Sequence, residues 1–245
     1  MIAIISAMQE EMQALLEQLK NTKETTKGMR TYYQGSLFGK KVVLVFSRWG
    51  KVAAAATTTQ LINDYSPSEI IFTGVAGAIK PHLNIGDVII GTKLYQHDLD
   101  ARPFYQKFEV PILKEKYFGT VNPSSFMDSA LKLSKAFNEF VSESEAKEFN
   151  IVAPKVYTEA IASGDLFVSS LEKIAQLNNE LPDVCCVEME GASVAQVCFE
   201  YNVPFNIIRI ISDKANDNAH IDFARFMKNV ASQYALGIFK NYFVL

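Results

Sequence analysis

The stretch FNIIRIIS, residues 205–212, is a nearly continuous run of apolar, mostly β-branched residues. Such a run lacks the alternation of a half-exposed strand, and it predicts a β-strand that is covered on both faces in a mostly parallel sheet. Three other runs have the same character, namely IAIIS (2–6), EIIFTG (69–74) and DVCCVE (183–188). A segment with helical periodicity follows each of them. The sequence therefore predicts an α/β protein.

Less regular segments add further elements to this scheme. A hairpin is predicted within residues 31–47, with its turn near Phe38-Gly39-Lys40, and single strands are predicted at 86–95 and 155–163. The predicted helices span 9–19, 51–63, 124–138, 169–178, 190–201 and 222–240. Because no Gly/Ser/Pro-rich linker interrupts the alternation, we expect one domain over residues 1–245.

Composition and charge argue against several classes of partner. The chain has 24 basic and 27 acidic residues, a net charge of -3, and neither a basic stripe nor an acidic block. We therefore expect no nucleic-acid or membrane partner. The N-terminus MIAIISAMQEEM has no basic leader, and no apolar run approaches the roughly 20 residues that span a bilayer, so we expect a cytoplasmic protein. The three cysteines Cys185, Cys186 and Cys198 fit neither a disulfide framework nor a zinc site.

Acidic residues stand at the ends of predicted strands. Glu188 and Glu190 follow one strand, Asp213 follows another, and Glu11 lies in the first turn of the predicted helix 9–19, where the helix macrodipole favours its ionised form. Ligands of open α/β sheets bind beyond the carboxyl ends of the strands. Paired carboxylates there suit glycoside chemistry, in which one activates water and the other protonates the leaving group. Taken singly, each acid could equally be a solvated strand end or a helix cap.

Three further segments carry weaker signals. The glycine segment TGVAGAI (73–79) would let backbone amides approach a ligand closely, although it does not match GxGxxG. The cluster His97-Asp98-Leu99-Asp100 contains possible metal ligands, but adjacent residues seldom all reach one ion, and we expect no metal. Residues 96–123 lack clear periodicity, and loops of that length are usually functional or contact a partner.

In order and spacing, ten segments resemble the 5′-methylthioadenosine/S-adenosylhomocysteine nucleosidases of the purine nucleoside phosphorylase superfamily. The segments VEMEGASVA (187–195) and RIISDKA (209–215) carry the resemblance most strongly. The others are IISAMQEEM (4–12), GKVAAAATTT (50–59), FTGVAGAI (72–79), GDVII (86–90), HDLDA (97–101), SGDLFV (163–168), VPF (203–205) and HIDFARF (220–226). The resemblance implies a nucleoside phosphorylase-like fold, with a mixed central β-sheet flanked by helices.

The resemblance also implies an activity and a role for each matching residue. The activity is hydrolysis of the N-glycosidic bond of 5′-methylthioadenosine and S-adenosylhomocysteine, without metal or organic cofactor. Asp213 would share a proton with adenine N7, Glu11 would deprotonate the attacking water, and Glu190 would hold the ribose hydroxyls. The implied binding residues are Met189 and Glu188 beside Glu190, Phe167 and Val168 at adenine, Ser212 and Arg209 beside Asp213, Met8, Trp49 and Phe223 at the sugar and alkylthio group, and Ala76 and Gly77 of the glycine segment.

Hydrolysis is favoured over phosphorolysis by residues near the glycine segment. Phosphorylase relatives have an arginine where this chain has Phe72 and a serine or threonine where it has Val75. Neither side chain can hold a phosphate dianion, which needs an arginine or several donors. A carboxylate at Glu11 would repel phosphate as well. A phosphorolytic purine nucleoside phosphorylase is kept as an alternative.

Three departures from the usual nucleosidase pattern leave the substrate open. Many nucleosidases have serine at the position of Val75, smaller residues are usual at Arg48-Trp49, and residues 100–118 are not the common sequence. A related adenine nucleoside such as aminodeoxyfutalosine is therefore an alternative substrate, and a binding module without turnover is another possible function. The family's members are homodimers in which a loop from one subunit closes the other's site, and Phe104 or Phe108 is the candidate contact.

Overall fold

A mixed β-sheet with helices on its two faces accounts for most of the residues that the computed structural model describes, which are 1–121, 123–215 and 219–244. The strands are β1 (Ile2–Ser6), β2 (Lys20–Lys27), β3 (Arg30–Leu37), β4 (Lys40–Phe46), β5 (Glu69–Ala78), β6 (Val88–Gln96), β7 (Tyr117–Gly119), β8 (Val156–Ser163), β9 (Val184–Glu188) and β10 (Phe205–Asp213). The helices are α1 (Gln13–Glu17), α2 (Lys51–Tyr65), α3 (Pro123–Lys135), α4 (Glu143–Glu148), α5 (Leu171–Glu180), α6 (Gly191–Glu200), α7 (Ala219–Asn229) and α8 (Ala231–Val244), with 3₁₀ turns at Gln9–Glu11 and Phe137–Glu139.

The sheet closes on itself around β5. Strands β1 and β10 pair in parallel with the two sides of β5, and the last residues of β5, Gly77 and Ala78, pair antiparallel with β9. From β9 the ladder continues in parallel through β8 to β6, which returns antiparallel to β10. Strands β5, β10, β6, β8 and β9 thus form a ring. The ring brings the ends of β9 and β10 beside the second half of β5.

Two hydrophobic cores lie on the opposite faces of the sheet. Successive residues of β1 show the arrangement, since Ile4 packs in a cluster with Phe239 of α8, and Ile5 packs in another with Leu61 of α2 and Val194 of α6. All five side chains are fully buried, and each such burial stabilises the fold by about 1.5–3 kcal/mol. Burial on both faces explains the continuous apolar runs. The predicted mixed α/β fold is confirmed.

The predicted helix over 9–19 is wrong. Residues Gln9–Glu11 form a 3₁₀ turn, and α1 contains only five residues. The break lies at Met12, which is fully buried and has φ -140°, far from helical values. The apolar stripe that predicted the helix arises because Met12 and Leu15 both enter the core.

Two other elements differ from the prediction. Strand β2 was not expected, because its sequence KNTKETTK is polar and its residues are almost all exposed at the edge of the sheet. The predicted helix 222–240 is two helices, α7 and α8. Val230 lies between them and is 1% exposed, so the apolar periodicity continues through the break and does not reveal it.

The stretch 96–123, of which residue 122 lies outside the described part, is not a free loop throughout. It contains β7, which pairs with β6. Phe108 is buried in a cluster with Ile79 and Val168 of the same chain, whereas Phe104 is 87% exposed. Within residues 1–121, 123–215 and 219–244, no helix has the length and apolarity to cross a bilayer.

Candidate active site

A cleft opens where the ends of β5, β9 and β10 meet. It is lined by Ala7, Met8, Glu11, Trp49, Val75, Ala76, Gly77, Leu166, Phe167, Val168, Val187, Glu188, Met189, Glu190, Ser212, Asp213 and Phe223. The cleft therefore brings together every site residue expected from the sequence except Arg209, which is fully buried and does not line it.

Glu11 is held in the cleft by three backbone N–H groups. Its Oε2 accepts hydrogen bonds from the N–H groups of Ala7 (2.8 Å) and Met8 (2.9 Å), and its Oε1 accepts one from Val75 (3.2 Å). Burial raises the pKa of Glu11, and the charge of Arg209 and the three N–H groups oppose this rise without cancelling it. The expected stabilisation by a helix macrodipole is replaced by this arrangement in a 3₁₀ turn. A carboxylate with a raised pKa suits a general base.

Asp213 stands at the end of β10 and is 2% exposed. Its Oδ2 accepts a hydrogen bond from the Ser212 hydroxyl (2.8 Å), and its Oδ1 accepts one from the N–H of Ala215 (2.8 Å). The register of β10 against β5 shifts between Ile211 and Asp213. Such bulges re-aim side chains beside active sites. Ser212 thus lies where it can orient the Asp213 carboxyl group.

Glu190 immediately precedes α6 and is 6% exposed. Its Oε1 accepts a hydrogen bond from the N–H of Gly50 (2.7 Å). Burial, followed by the negative charge of Glu188, raises the pKa of Glu190, and the Gly50 N–H and the Arg209 charge act in the opposite direction. Among the described residues, none donates to Oε2 of Glu190, so this oxygen can accept hydrogen bonds from a ligand.

Arg209 and Glu188 form a buried ion pair behind the cleft. The guanidinium donates from Nη2 to Glu188 Oε2 at 2.5 Å, and both side chains are at most 3% exposed. Glu188 also accepts from the Ser163 hydroxyl and from the N–H groups of Glu190 (3.1 Å) and Gly191 (2.8 Å). Arg209 therefore binds Glu188, and Glu188 fixes the backbone that presents Glu190.

Two glycines make room for the two acids. A Cβ at Gly74 would lie 2.6 Å from Glu11 Oε1, and a Cβ at Gly77 would lie 2.8 Å from Asp213 Oδ1. The glycine segment TGVAGAI thus seats the carboxylates of the cleft, a use that its spacing alone does not indicate. Phe72, where phosphorylase relatives have arginine, places its ring 4.2 Å from the Arg209 guanidinium carbon.

Three aromatic side chains stand along the cleft. The Phe223 ring centroid lies 6.1 Å from that of Trp49 and 5.8 Å from that of Phe167, with interplanar angles of 88° and 77°. Edge-to-face contacts of this kind are the preferred geometry of aromatic pairs. Trp49 is 55% and Phe167 is 38% exposed, so both rings offer surface to a flat, apolar ligand.

The His97-Asp98-Leu99-Asp100 segment has a structural explanation. His97 is buried, and burial lowers its pKa. Asp98 pairs with Lys51 (2.6 Å), and Asp100 pairs with Arg102 (2.5 Å). In the described parts of the chain, no group of three or more His, Cys, Asp or Glu residues could hold a metal ion.

Sequence reasoning missed several residues that shape the site. Gly50 and Ser163 hold Glu190 and Glu188, and Ala7, Leu166 and Val187 line the cleft. Gly50 has φ +90° at the start of α2, and a glycine directly before a helical pattern is the one available signal. The other four are small or apolar residues inside segments that carry the family resemblance, and nothing in their identity distinguishes them from core residues.

Comparisons with known proteins identify the family. Residues 1–242 match the phosphorylase superfamily. A 5′-methylthioadenosine/S-adenosylhomocysteine nucleosidase of Anoxybacillus flavithermus is 36% identical over 231 residues, which cover 94% of this chain and 92% of the relative. A crystal structure of such a nucleosidase from Neisseria meningitidis, in complex with methylthio-immucillin-A, matches with a TM-score of 0.85 and 34% identity, covering 98% of this chain and 97% of that chain.

A second solved structure that is similar to this chain is that of a futalosine hydrolase. The native structure of futalosine hydrolase of Helicobacter pylori strain 26695 matches with a TM-score of 0.81 and 32% identity, covering 100% of this chain and 97% of that chain. Because relatives above 30% identity extend over almost all of both sequences, the chain belongs to the phosphorylase superfamily and, within it, to the family of the 5′-methylthioadenosine/S-adenosylhomocysteine nucleosidases.

Proposed function

We propose that the chain hydrolyses the N-glycosidic bond of 5′-methylthioadenosine and S-adenosylhomocysteine, and releases adenine with methylthioribose or ribosylhomocysteine. The observation that carries this proposal is the convergence of Glu11, Glu190 and Asp213, which come from three distant parts of the chain, on one cleft. Relatives named 5′-methylthioadenosine/S-adenosylhomocysteine nucleosidase support the proposal. No metal or organic cofactor takes part in the proposed reaction.

Asp213 acts as the general acid of the proposed reaction, and Glu11 acts as its general base. Asp213, oriented by Ser212, donates a proton toward N7 of the purine as the bond between C1′ and N9 breaks and its electron pair moves onto the base. The sugar then has oxocarbenium character. Water attacks C1′, and Glu11 accepts its proton. The three N–H groups on Glu11 fix the direction in which the base meets the water.

The remaining lining holds the nucleoside. Glu190 and the backbone of Met189 bind the ribose hydroxyls, since a carboxylate can accept two charge-assisted hydrogen bonds from a diol. Phe167 stacks on adenine, and the backbone of Val168 reads its edge. Met8, Trp49 and Phe223, with Ala76 and Gly77 nearby, surround the sugar and the 5′ sulfur substituent.

Water rather than phosphate is the proposed nucleophile. Val75 is buried and donates its N–H to Glu11, so its side chain offers no hydroxyl to an anion. The Phe72 ring lies against Arg209, whose guanidinium binds Glu188 within the protein. A phosphate in the cleft would therefore face the Glu11 carboxylate without an arginine to balance its charge.

A related adenine nucleoside is the second candidate substrate. The resemblance to futalosine hydrolase of Helicobacter pylori, which extends over the whole chain, favours a nucleoside such as aminodeoxyfutalosine that differs at the 5′ position. Trp49 would lie beside that part of the ligand, and its large exposed ring could contact a bulky 5′ group. Both candidates use the same acids.

Assembly and location complete the proposal. We propose a cytoplasmic homodimer that acts in methionine salvage, in which Phe104 is the contact with the second subunit. Its 87% exposed ring is free to enter another chain's site, whereas Phe108 is packed within its own chain. Sedimentation of a monomer at working concentration would contradict the dimer.

The test is adenine release in phosphate-free buffer. Glu11→Gln and Asp213→Asn should each lower kcat by at least about a hundredfold, the usual scale for losing a general base or acid. Glu10→Gln is the matched control, because Glu10 is the exposed neighbour of Glu11 and should not affect the rate. Full activity in either catalytic variant contradicts its role, and a sugar 1-phosphate product contradicts hydrolysis. Relative rates on methylthioadenosine, adenosylhomocysteine and aminodeoxyfutalosine decide between the candidates.

A further inference from the structure

Two successive N–H groups at the start of α2 bind carboxylates from distant parts of the chain. The N–H of Gly50 donates to Glu190 Oε1 (2.7 Å), and the N–H of Lys51 donates to Asp165 Oδ1 (2.8 Å). A Cβ at Gly50 would lie 2.9 Å from Asp165 Oδ1. The position of the helix N-terminus is therefore tied both to the cleft and to the loop after β8.

An ion pair between Lys51 and Asp98 completes a ring of hydrogen bonds. In this ring Lys51 binds Asp98, Asp98 binds Asp165, and Asp165 binds Lys51. The Lys51 ammonium donates to Asp98 Oδ1 (2.6 Å) and to Gln96 (3.2 Å), and Asp98 Oδ2 accepts from the N–H of Asp165 (2.9 Å). The side chains of Lys51 and Asp98 are 18% and 30% exposed. Burial alone would raise the pKa of Asp98, but the Lys51 ammonium and the Asp165 N–H outweigh it and lower the pKa. Asp98 is thus the ionised centre of the ring.

The ring joins the start of α2 to the ends of β6 and β8, which pair with each other as far as Gln96 and Ser163. Lys51 follows β4, Asp98 follows β6 and Asp165 follows β8. The first segment also carries Trp49 and the third carries Phe167, so the ring sets the positions of two aromatic residues as well as that of Gly50. None of the three ring residues lines the cleft.

We infer that Lys51, Asp98 and Asp165 are positioning residues for ribose recognition, because their ring of hydrogen bonds holds the Gly50 N–H against Glu190 and thereby fixes the carboxylate that grips the sugar. The inference rests on the proposed function for the identity of the sugar. It assigns no contact with the substrate to the three residues themselves. Their effect on ribose binding passes through the hydrogen bond from Gly50 to Glu190.

The dependence of Glu190 on the ring predicts a loss of kcat/KM that depends on the ribose hydroxyls of the substrate. Loss of the Lys51 ammonium leaves Asp98 without its charged partner and releases the start of α2, so Glu190 loses a defined direction. A hydrogen bond to a charged group contributes enough that its loss changes affinity by about tenfold or more. Lys51→Met and Asp98→Asn should therefore each lower kcat/KM for methylthioadenosine by about tenfold, chiefly through KM, and Lys51→Arg should retain most of the activity.

Substrates that lack a ribose hydroxyl distinguish positioning from general damage. On the 2′-deoxy and 3′-deoxy analogues, each of which lacks one of the hydroxyls that Glu190 is proposed to bind, the same variants should lose less activity than on methylthioadenosine, because part of the interaction they weaken is already absent. Lys27→Met is the matched control: Lys27 pairs with Asp64 at the other end of α2 (2.8 Å) and should behave as the unchanged protein. An equal loss on all three substrates, or no loss on methylthioadenosine, overturns the inference.

A fluorescence measurement tests the ring even if the proposed substrate is wrong. Trp49 is the single tryptophan of the chain and lies two residues before Lys51. Acrylamide should quench Trp49 more strongly in Lys51→Met than in the unchanged protein or in Lys27→Met, with melting temperatures showing that all three are folded. Equal quenching contradicts the ring. Increased quenching in a protein that releases no adenine from any nucleoside upholds the ring and rejects the proposed function.

Discussion

Replacing Gly74 by alanine should disable catalysis without unfolding the protein. The added Cβ would lie 2.6 Å from Glu11 Oε1, whereas ordinary van der Waals contact begins at 3.4 Å, so the two must separate by about 0.8 Å. Gly74 cannot move away easily, because it lies inside β5 and its register is fixed opposite Arg209 of β10. The Glu11 carboxylate must therefore shift, and its hydrogen bond from Val75 (3.2 Å) is the first to weaken.

The size of this shift sets the expected loss of rate. Misplacing a catalytic group by about 1 Å costs about a hundredfold, which corresponds to about 2.7 kcal/mol in the activation barrier. Gly74 does not have a positive φ, so alanine is compatible with the backbone there. An alanine at a compatible glycine position stabilises a protein by about 0.4–1 kcal/mol, which offsets part of the local clash. We expect kcat to fall by about a hundredfold while the melting temperature changes little.

Adenine release and thermal unfolding together test this reasoning. Gly119→Ala in β7 is the control, because the nearest atom to its added Cβ is 3.8 Å away, and it should retain full activity. Full activity in Gly74→Ala would refute the close approach of Glu11, and unfolding would show that β5 rather than Glu11 absorbs the clash.

Three further predictions concern charge. Glu11 and Glu190 act as carboxylates, and burial raises both pKa values, so kcat/KM should fall on acidification with an apparent pKa above the ordinary 4.5; a pH profile of adenine release that stays flat down to 4.5 contradicts this. Glu188→Gln leaves the Arg209 charge buried without its partner and should lower the free energy of unfolding by about 3–5 kcal/mol in urea titration. Lys93→Met breaks an ion pair whose side chains are each 41% exposed, and it should leave the free energy of unfolding almost unchanged.

The sheet was predictable because its central strands are buried on both faces. Residues 2–6, 69–74 and 205–212 read as continuous apolar runs for that reason, and the structure contains strands at all three. The polar edge strand β2 has no buried face and therefore leaves no pattern. The turn at Gln9–Glu11 was hidden for the opposite reason, since Met12 and its neighbours enter the core at a spacing that imitates a helix.

The acids of the site were predictable, and their supports were not. Glu11, Glu190 and Asp213 could be selected because they follow predicted strands and match family motifs. The partners of Arg209 and Glu190 depend on how the ring of strands closes, and no spacing along the chain encodes the resulting contacts with Glu188 and Gly50. Hydrogen bonds from backbone groups are independent of residue type, so sequence patterns cannot identify them.

The polar edge strand β2 also affects how the folded protein meets its neighbours in solution. An unpaired strand edge offers a row of N–H and C=O groups that can template the addition of another strand. Lys20, Lys23 and Lys27 line this exposed strand, and repeated positive charge opposes the docking of a second copy in that manner. The eight polar residues of β2, which the sequence does not predict as a strand, thus oppose edge-to-edge aggregation of the sheet.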